Sequence, residues 1–304
     1  YIEISGLRIE KFHGMGVYAK GMNKDISVVD NDFRNINTTA IHLEIGCSNS
    51  LIKGNKLKNI NGRGIFAIET INVKILGNQL KNIGLRYGYG ISGLNGMTGI
   101  LLLNVEERKD EGSHVSRNNL VQYNEVINTG YNGIRVQGFR NVVKNNYIFN
   151  AMCLLNDGGG IYSHSQGGKI YASENIISGN IIDNVYGSHE GLISDFPSQA
   201  IAIYLDNKTR NTIVENNVLC NSLKGMFINT YSKNHTFRNN VVYNCGIGFE
   251  VADYMDPIVT YGHEVIDNLF FMTSVNQYGV HLVSYTAPST DSLATFTANK
   301  YYSM

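Results

Sequence analysis

The chain has 304 residues, with 25 Lys and Arg against 25 Asp and Glu, and a formal charge of zero leaves no electrostatic footprint for nucleic acid or an anionic membrane surface. No apolar run approaches the length of about 18 residues that a membrane span needs. The four cysteines, Cys47, Cys153, Cys220 and Cys245, have neither metal spacing nor a dense disulfide framework, so they read as mostly buried thiols, and no cofactor is implied.

The chain opens inside a strand, Tyr1-Ile2-Glu3-Ile4, with no Met and no charged-then-apolar leader, so it reads as a portion of a longer chain with further domains upstream. A short pattern then recurs: Asn, any residue, an apolar residue, any residue, Asn. It stands at Asn31/Asn35, Asn55/Asn59, Asn78/Asn82, Asn124/Asn128, Asn146/Asn150, Asn180/Asn184, Asn217/Asn221 and Asn240/Asn244, and once more at Asn268 with Met272 in the second place. The first asparagines are 24, 23, 46, 22, 34, 37, 23 and 28 residues apart, a basic period of about 23 in which 46 is two periods or one with an excursion. No leucine-rich consensus and no long helical pattern accompanies it. The segments between turns are short, rich in Ile, Val, Tyr and Phe, and alternate with period two, as in Ile41-His42-Leu43-Glu44-Ile45 and Ile134-Arg135-Val136-Gln137.

Strands stacked once per repeat predict an all-β, right-handed parallel β-helix over residues 1–304 as one domain. When coils stack about 4.8 Å apart, identical asparagines hydrogen-bond in a ladder along the axis, so Asn146, Asn180, Asn217 and their relatives read as structural. Only three prolines interrupt the chain, which suits strands whose amides are used in ladders.

The repeat also aligns the strands. Each begins with a small residue: Ala40-Ile41-His42, Gly64-Ile65-Phe66, Gly133-Ile134-Arg135, Gly160-Ile161-Tyr162, Ala202-Ile203-Tyr204, Gly225-Met226-Phe227, Gly248-Phe249-Glu250 and Gly279-Val280-His281. The second and fourth places point inward and the third and fifth outward. Arg135, Gln137, Tyr162, His164, Tyr204, Asp206, Phe227 and Asn229 therefore form one outer face of rings and planar hydrogen-bonding groups, which suits stacking on sugar rings and binding of hydroxyls. His42, Glu44, Glu250 and His281 lie farther along it as distal subsites. Outward apolar residues such as Phe66 and Ile68 are isolated, whereas a trimeric fibre needs long apolar stripes.

Excursions interrupt the period near 85–118 and 187–199. The first carries mixed charges at Val105 to Gly112 and reads as a solvated loop. The second, just before the Tyr204 strand, brings His189, Glu190 and Asp195 as further candidates beside the face. Between the two lies Asn156-Asp157-Gly158-Gly159-Gly160. Three glycines are costly to order and mark tight backbone geometry or close approach by a ligand, which singles out Asp157.

Asn156-Asp157-Gly158-Gly159-Gly160-Ile161-Tyr162, with Ile203-Tyr204-Leu205-Asp206 one coil later and the opening Tyr1 to Leu7, resembles bacterial β-helix glycoside hydrolases of the α-fucosidase, β-xylosidase and α-galactosidase kind. The resemblance implies hydrolysis of a glycosidic bond of a poly- or oligosaccharide by a carboxylate pair, Asp157 and Asp206. On the reading of the outer face and its excursion, Arg135, Gln137, Tyr162, His164, Tyr204, Asn229 and Glu190 hold the substrate. The alignment opposes that pair. Asp206 aligns with His164, and the path from Asp157 to His164 is about 23 Å when fully extended at 3.3 Å per residue. Without a sharp bend at Gly158 to Gly160, the partner of Asp157 is Asp195 or Glu190. Two alternatives remain: a polysaccharide lyase or uronate epimerase, with Tyr162 and His164 as base and acid and Arg135 neutralising the uronate, and a noncatalytic glycan-binding or fibre module. The substrate class implies a secreted or periplasmic setting.

Overall fold

A computed structural model describes residues 1–90, 94–104, 115–165, 172–188, 199–255, 259–284 and 290–304. Three parallel sheets run the length of the chain. Two are 11-stranded, starting at Ile2–Ser5 and Arg8–Glu10, and the third is 10-stranded, from Val17–Ala19 to Tyr278–Ser284. Each coil except the last gives one strand to each sheet, and neighbouring coils pair, as Ile75 pairs with Ile52 and Val121. The result is a parallel β-helix whose interior is filled by stacked apolar side chains, with Ile52, Ile75 and Val121 fully buried. Among the described residues no helix is long and apolar enough to cross a membrane.

The repeated asparagines do two separate jobs. The first of each pair is buried in the ladder. Asn55 Nδ2 donates to Asn78 Oδ1 at 2.9 Å and to the Val28 carbonyl at 2.8 Å, while Asn55 Oδ1 accepts from the amide and side chain of Asn31. The second of each pair sits in the left-handed region, with φ of 54° at Asn35, 58° at Asn59 and 60° at Asn82, a conformation Asn tolerates better than most residues. These bond to one another along a more exposed line, as Asn82 Nδ2 does to Asn59 Oδ1 at 3.1 Å.

A third line changes its residue type midway. Asn119 donates to Asn141, and Asn141 in turn to Asn175; farther on, the Thr212 amide donates to His235 Nδ1 at 3.0 Å and the His235 amide to His263 Nδ1 at 3.2 Å. The two imidazoles stack 5.1 Å apart at 9°.

Asn78 bonds directly to Asn124, so of the two readings of the spacing of 46 the structure takes one coil with excursions. Within it Ile100–Leu103 forms a regular strand of the third sheet, so the stretch 85–118 is not wholly a solvated loop; Val105 to Gly112 lies outside the described residues. The outer face of the second sheet also carries apolar stripes. Tyr147, Ile181 and Val218 align in one column, with Cys220, Tyr243, Phe271 and Tyr302 in the next. They contribute one residue per coil, too far apart in sequence for any local window to register.

Asn180→Ala removes the acceptor of both Asn146 donors and the donors to Asn217 and Val143, each left in a buried setting. Unmet buried polar groups cost about 1–3 kcal/mol each, so urea denaturation is expected to show a loss of several kcal/mol, against about 1–2 for Asn184→Ala on the exposed line. Equal losses would contradict the division of roles. Burial holds His263 down to about 4 and His235 well below its ordinary value. The unfolded chain therefore takes up protons first, and stability present above pH 6.5 is lost as pH falls toward about 4. The double variant His235→Asn with His263→Asn, which continues the asparagine line, is expected to flatten the fall of Tm over that range; an unchanged slope would place the acid sensitivity elsewhere.

Candidate functional site

The third sheet does not alternate strictly. Ile161 is fully buried in the core, and a Cβ on the preceding Gly160 would lie 2.6 Å from Ile182 in the same interior. Ala202 and Ile203 likewise both face inward, whereas Ile201 and Tyr204 belong to a separate cluster on the outside. Two successive inward residues bend each strand, and the outer faces on either side of the bend converge. Lys224 accordingly lies 4.7 Å from the ring centre of Phe227, and Arg63 4.3 Å from that of Phe66. The small residue at each strand start follows from this geometry, since a Cβ on Gly133 would come within 2.6 Å of the Gly160 carbonyl oxygen.

The bend brings the two carboxylates together. Asp157 has φ of 60°, and its carbonyl accepts the Tyr131 hydroxyl at 2.6 Å. Gly159 leaves the outer surface bare, where a Cβ would meet Tyr204 Cβ at 3.5 Å. Tyr204 packs there and its hydroxyl interacts with both Asp157 and Asp206. The extended-path distance of about 23 Å fails as a guide because it ignores the bend.

The two carboxylates have unlike surroundings. Asp206 accepts from the Tyr162 hydroxyl at 2.7 Å, Asn229 Nδ2 at 2.8 Å and the Asn207 amide at 2.7 Å, and this ring of donors suits a carboxylate. Asp157 is open to solvent at one side, yet burial of its carboxyl and then the charge of Asp206 push it above the ordinary range, with the Tyr204 hydroxyl pulling the other way. Burial, then Asp206, raises the Tyr162 hydroxyl well above its ordinary value. The His164 ring stacks on Tyr162 at 6.0 Å; burial lowers it, opposed by Asp206 and aided by Arg135 and Lys208. Arg135 lies 5.0 Å from the Tyr162 ring centre and donates to Asn95 Oδ1 at 2.5 Å.

Arg135, Tyr162, His164, Tyr204 and Asn229 thus gather around the pair. Gln137 is occupied elsewhere, its Oε1 accepting the Asn104 amide at 3.2 Å. Asp195, Glu190 and His189 lie outside the described residues. The rings depart from the expected stacking platform: Tyr162, Tyr204 and Phe227 are 5, 2 and 1% exposed and pack on Ile201 and Ala252 as a floor. Groups that strand alignment alone did not single out are Tyr131, Asn95, and Asn132, whose Oδ1 takes the Gly159 amide at 2.7 Å. Asn132 was within reach of the alignment, because it precedes Gly133 as Gly159 precedes Gly160. Among the described residues no cluster of three or more His, Cys, Asp or Glu gathers as a metal site.

The profile of the right-handed β-helix region matches residues 1–106 and 111–296. No curated protein sequence matches the chain. Of solved structures, an alginate lyase from Paenibacillus is similar over 97% of this chain and 95% of that one, at 17% identity and a TM-score of 0.60. The surface adhesin PfbA of Streptococcus pneumoniae is similar over 96% and 70%, at 12% identity and a TM-score of 0.62. The catalytic unit of a GH87 α-1,3-glucanase from Streptomyces thermodiastaticus covers 96% and 50%, at 14% identity and a TM-score of 0.52. At these identities the likeness is one of fold.

Tyr204→Phe removes the hydroxyl that opposes the upward push on Asp157, whereas Asp206→Asn removes part of that push. Carboxyl titration by carbon NMR is expected to show Asp157 moving up in the first variant and down in the second; no movement in either would separate the two carboxylates.

Proposed function

The chain belongs to the right-handed β-helix family, and we propose that it is a glycoside hydrolase acting on a poly- or oligosaccharide, with Asp157 as general acid and Asp206 as its partner carboxylate. One observation carries this reading: Asp157, pushed above the ordinary carboxylate range by burial and by the charge of Asp206, stands near an Asp206 whose oxygens are held by three hydrogen-bond donors. Such a division is what acid-assisted glycoside cleavage needs. Asp157 gives its proton to the departing glycosidic oxygen as that bond to the anomeric carbon breaks. Asp206 either attacks that carbon or takes a proton from the water that does. Asn229 and Tyr162 hold the Asp206 oxygens, and His164 and Arg135 stand beside them as hydroxyl-binding groups. The carbohydrate-active neighbours, a glucanase and a lyase among them, support a sugar substrate without choosing between hydrolysis and elimination. A secreted or periplasmic setting belongs to the same proposal.

Elimination from a uronate is the second reading, favoured by the grouping of Arg135, Tyr162 and His164. Against it, the Tyr162 hydroxyl already donates to Asp206 and is held well above its ordinary value, which makes it a poor base. A noncatalytic module is the third, and the apolar columns of the second sheet favour it as a surface for assembly.

Asp157→Asn assayed beside the unaltered chain on aryl glycosides, α-1,3-glucan, xylan and alginate separates these. The expected result is release of reducing ends that falls at least about 10²-fold in the variant. An unsaturated product that survives Asp157→Asn but not Tyr162→Phe would establish elimination instead, and binding without any product would leave the recognition module.

A further inference from the structure

We propose that the carboxylate pair stands at the closed end of its groove, so that the protein works on the terminal unit of a glycan chain. This rests on the carbohydrate-cleaving reading above and concerns the outward column of the third sheet, where Phe66, Leu101, Arg135, Tyr162 and Tyr204 follow one another coil by coil.

On the N-terminal side the column is shut. Leu101 points outward, between Phe66 and Arg135 and apart from the interior cluster, yet it is fully buried. Asn95 belongs to the short turn Leu94–Met97 that precedes the Leu101 strand in the same coil. From the coil before, Arg63 Nε donates to the Asn95 carbonyl at 3.0 Å; from the coil after, Arg135 donates to its side-chain oxygen at 2.5 Å. Two guanidinium groups thus tie one residue across the coil between them. Each also lies over an aromatic ring of the column, Arg63 over Phe66 at 4.3 Å and Arg135 over Tyr162 at 5.0 Å. Burial pushes Arg63 down to about 10, in keeping with a guanidinium set into the surface. A sugar chain laid along the axis meets this tie one coil before Tyr162.

On the C-terminal side polar groups continue outward. Asn229 is half-buried beside Asp206 and His281 is open to solvent, while between them Glu250, 5% exposed, accepts from the buried Lys224 at 2.8 Å and pairs with His281 at 3.1 Å. Successive coils rise about 4.8 Å, so among the described residues these groups extend the site from Asp206 toward the C-terminal coils, whereas the polar groups of the column on the other side, Tyr18, His42 and Glu44, lie beyond the tie.

The test has two arms. On whichever polymer is cleaved, a single small product is expected from the earliest times with little loss of viscosity, and Arg63→Met or Asn95→Ala, checked for folding by circular dichroism, is expected to add internal cleavage. Fragments of random length from the unaltered chain would overturn the inference while leaving hydrolysis standing. The second arm needs no turnover: calorimetry of Asp157→Asn with oligosaccharides of α-1,3-glucan, xylan and alginate blocked at one end, the other, or both. Blocking one particular end is expected to weaken binding at least about tenfold, with no effect from the other. Equal binding of doubly blocked chains overturns the inference, and no binding of any of them overturns it together with the carbohydrate reading.

Discussion

Everything in this molecule follows from one constraint: a side chain must agree with the side chains about 4.8 Å above and below it. A buried asparagine satisfies that demand because it offers donors and an acceptor along the same line, so each copy completes its neighbour. Asn55 cannot leave its place without orphaning groups on Asn31 and Val28 and losing its bond to Asn78. Variation is thereby expelled from the ladder and into the turns. Long excursions can enter between strands while the bonds on either side persist, as the direct contact from Asn78 to Asn124 demonstrates.

The same stacking creates the site. A bend in one strand has to be repeated in the strands beside it, so the double inward step at Gly160 and Ile161 is matched by Ala202 and Ile203. Repeated bends make a concave strip along the outside, and residues on its two sides face each other. Asp157 comes from one side and Asp206 from the other, with the floor supplied by the tyrosines between. Gly159 is needed where the next coil approaches, since a Cβ there would come within 2.6 Å of the Ile201 carbonyl oxygen, which gives the glycine run a packing reason as well as a conformational one.

Much of this was legible in the amino-acid order because, excursions apart, the coil keeps returning to about 23 residues and the asparagines mark its turns. The recurring asparagines set the period, and the alignment of Ile65, Ile134, Ile161 and Ile203 follows the observed register. The strand at Ile100–Leu103 was missed because one excursion separates it from the Asn78/Asn82 pair of its own coil and a second from Asn124, whereas most other strands of that sheet follow their pair directly. The His235 and His263 line was missed for a different reason: position, not residue type, is what repeats there. The meeting of Asp157 with Asp206 was hidden by the assumption of strict alternation, which a single extra inward residue defeats.

The floor has a consequence for recognition. Tyr162, Tyr204 and Phe227 spend their ring faces on one another, so little stacking surface remains for a sugar. What faces outward is polar: Asp157, His164 and Asn229, backed by Asp206. A site that binds through fixed hydrogen-bonding groups rejects a substrate lacking the matching hydroxyl far more strongly than an apolar pocket rejects a missing methylene, because its own buried groups are then left unpaired. Asp206 is held by three donors from three different residues, and none of them can follow a substrate without breaking a bond to it. For the proposed glycan substrate, selectivity resides in the pattern of hydroxyls presented to these groups, and the buried rings serve it by keeping those donors still.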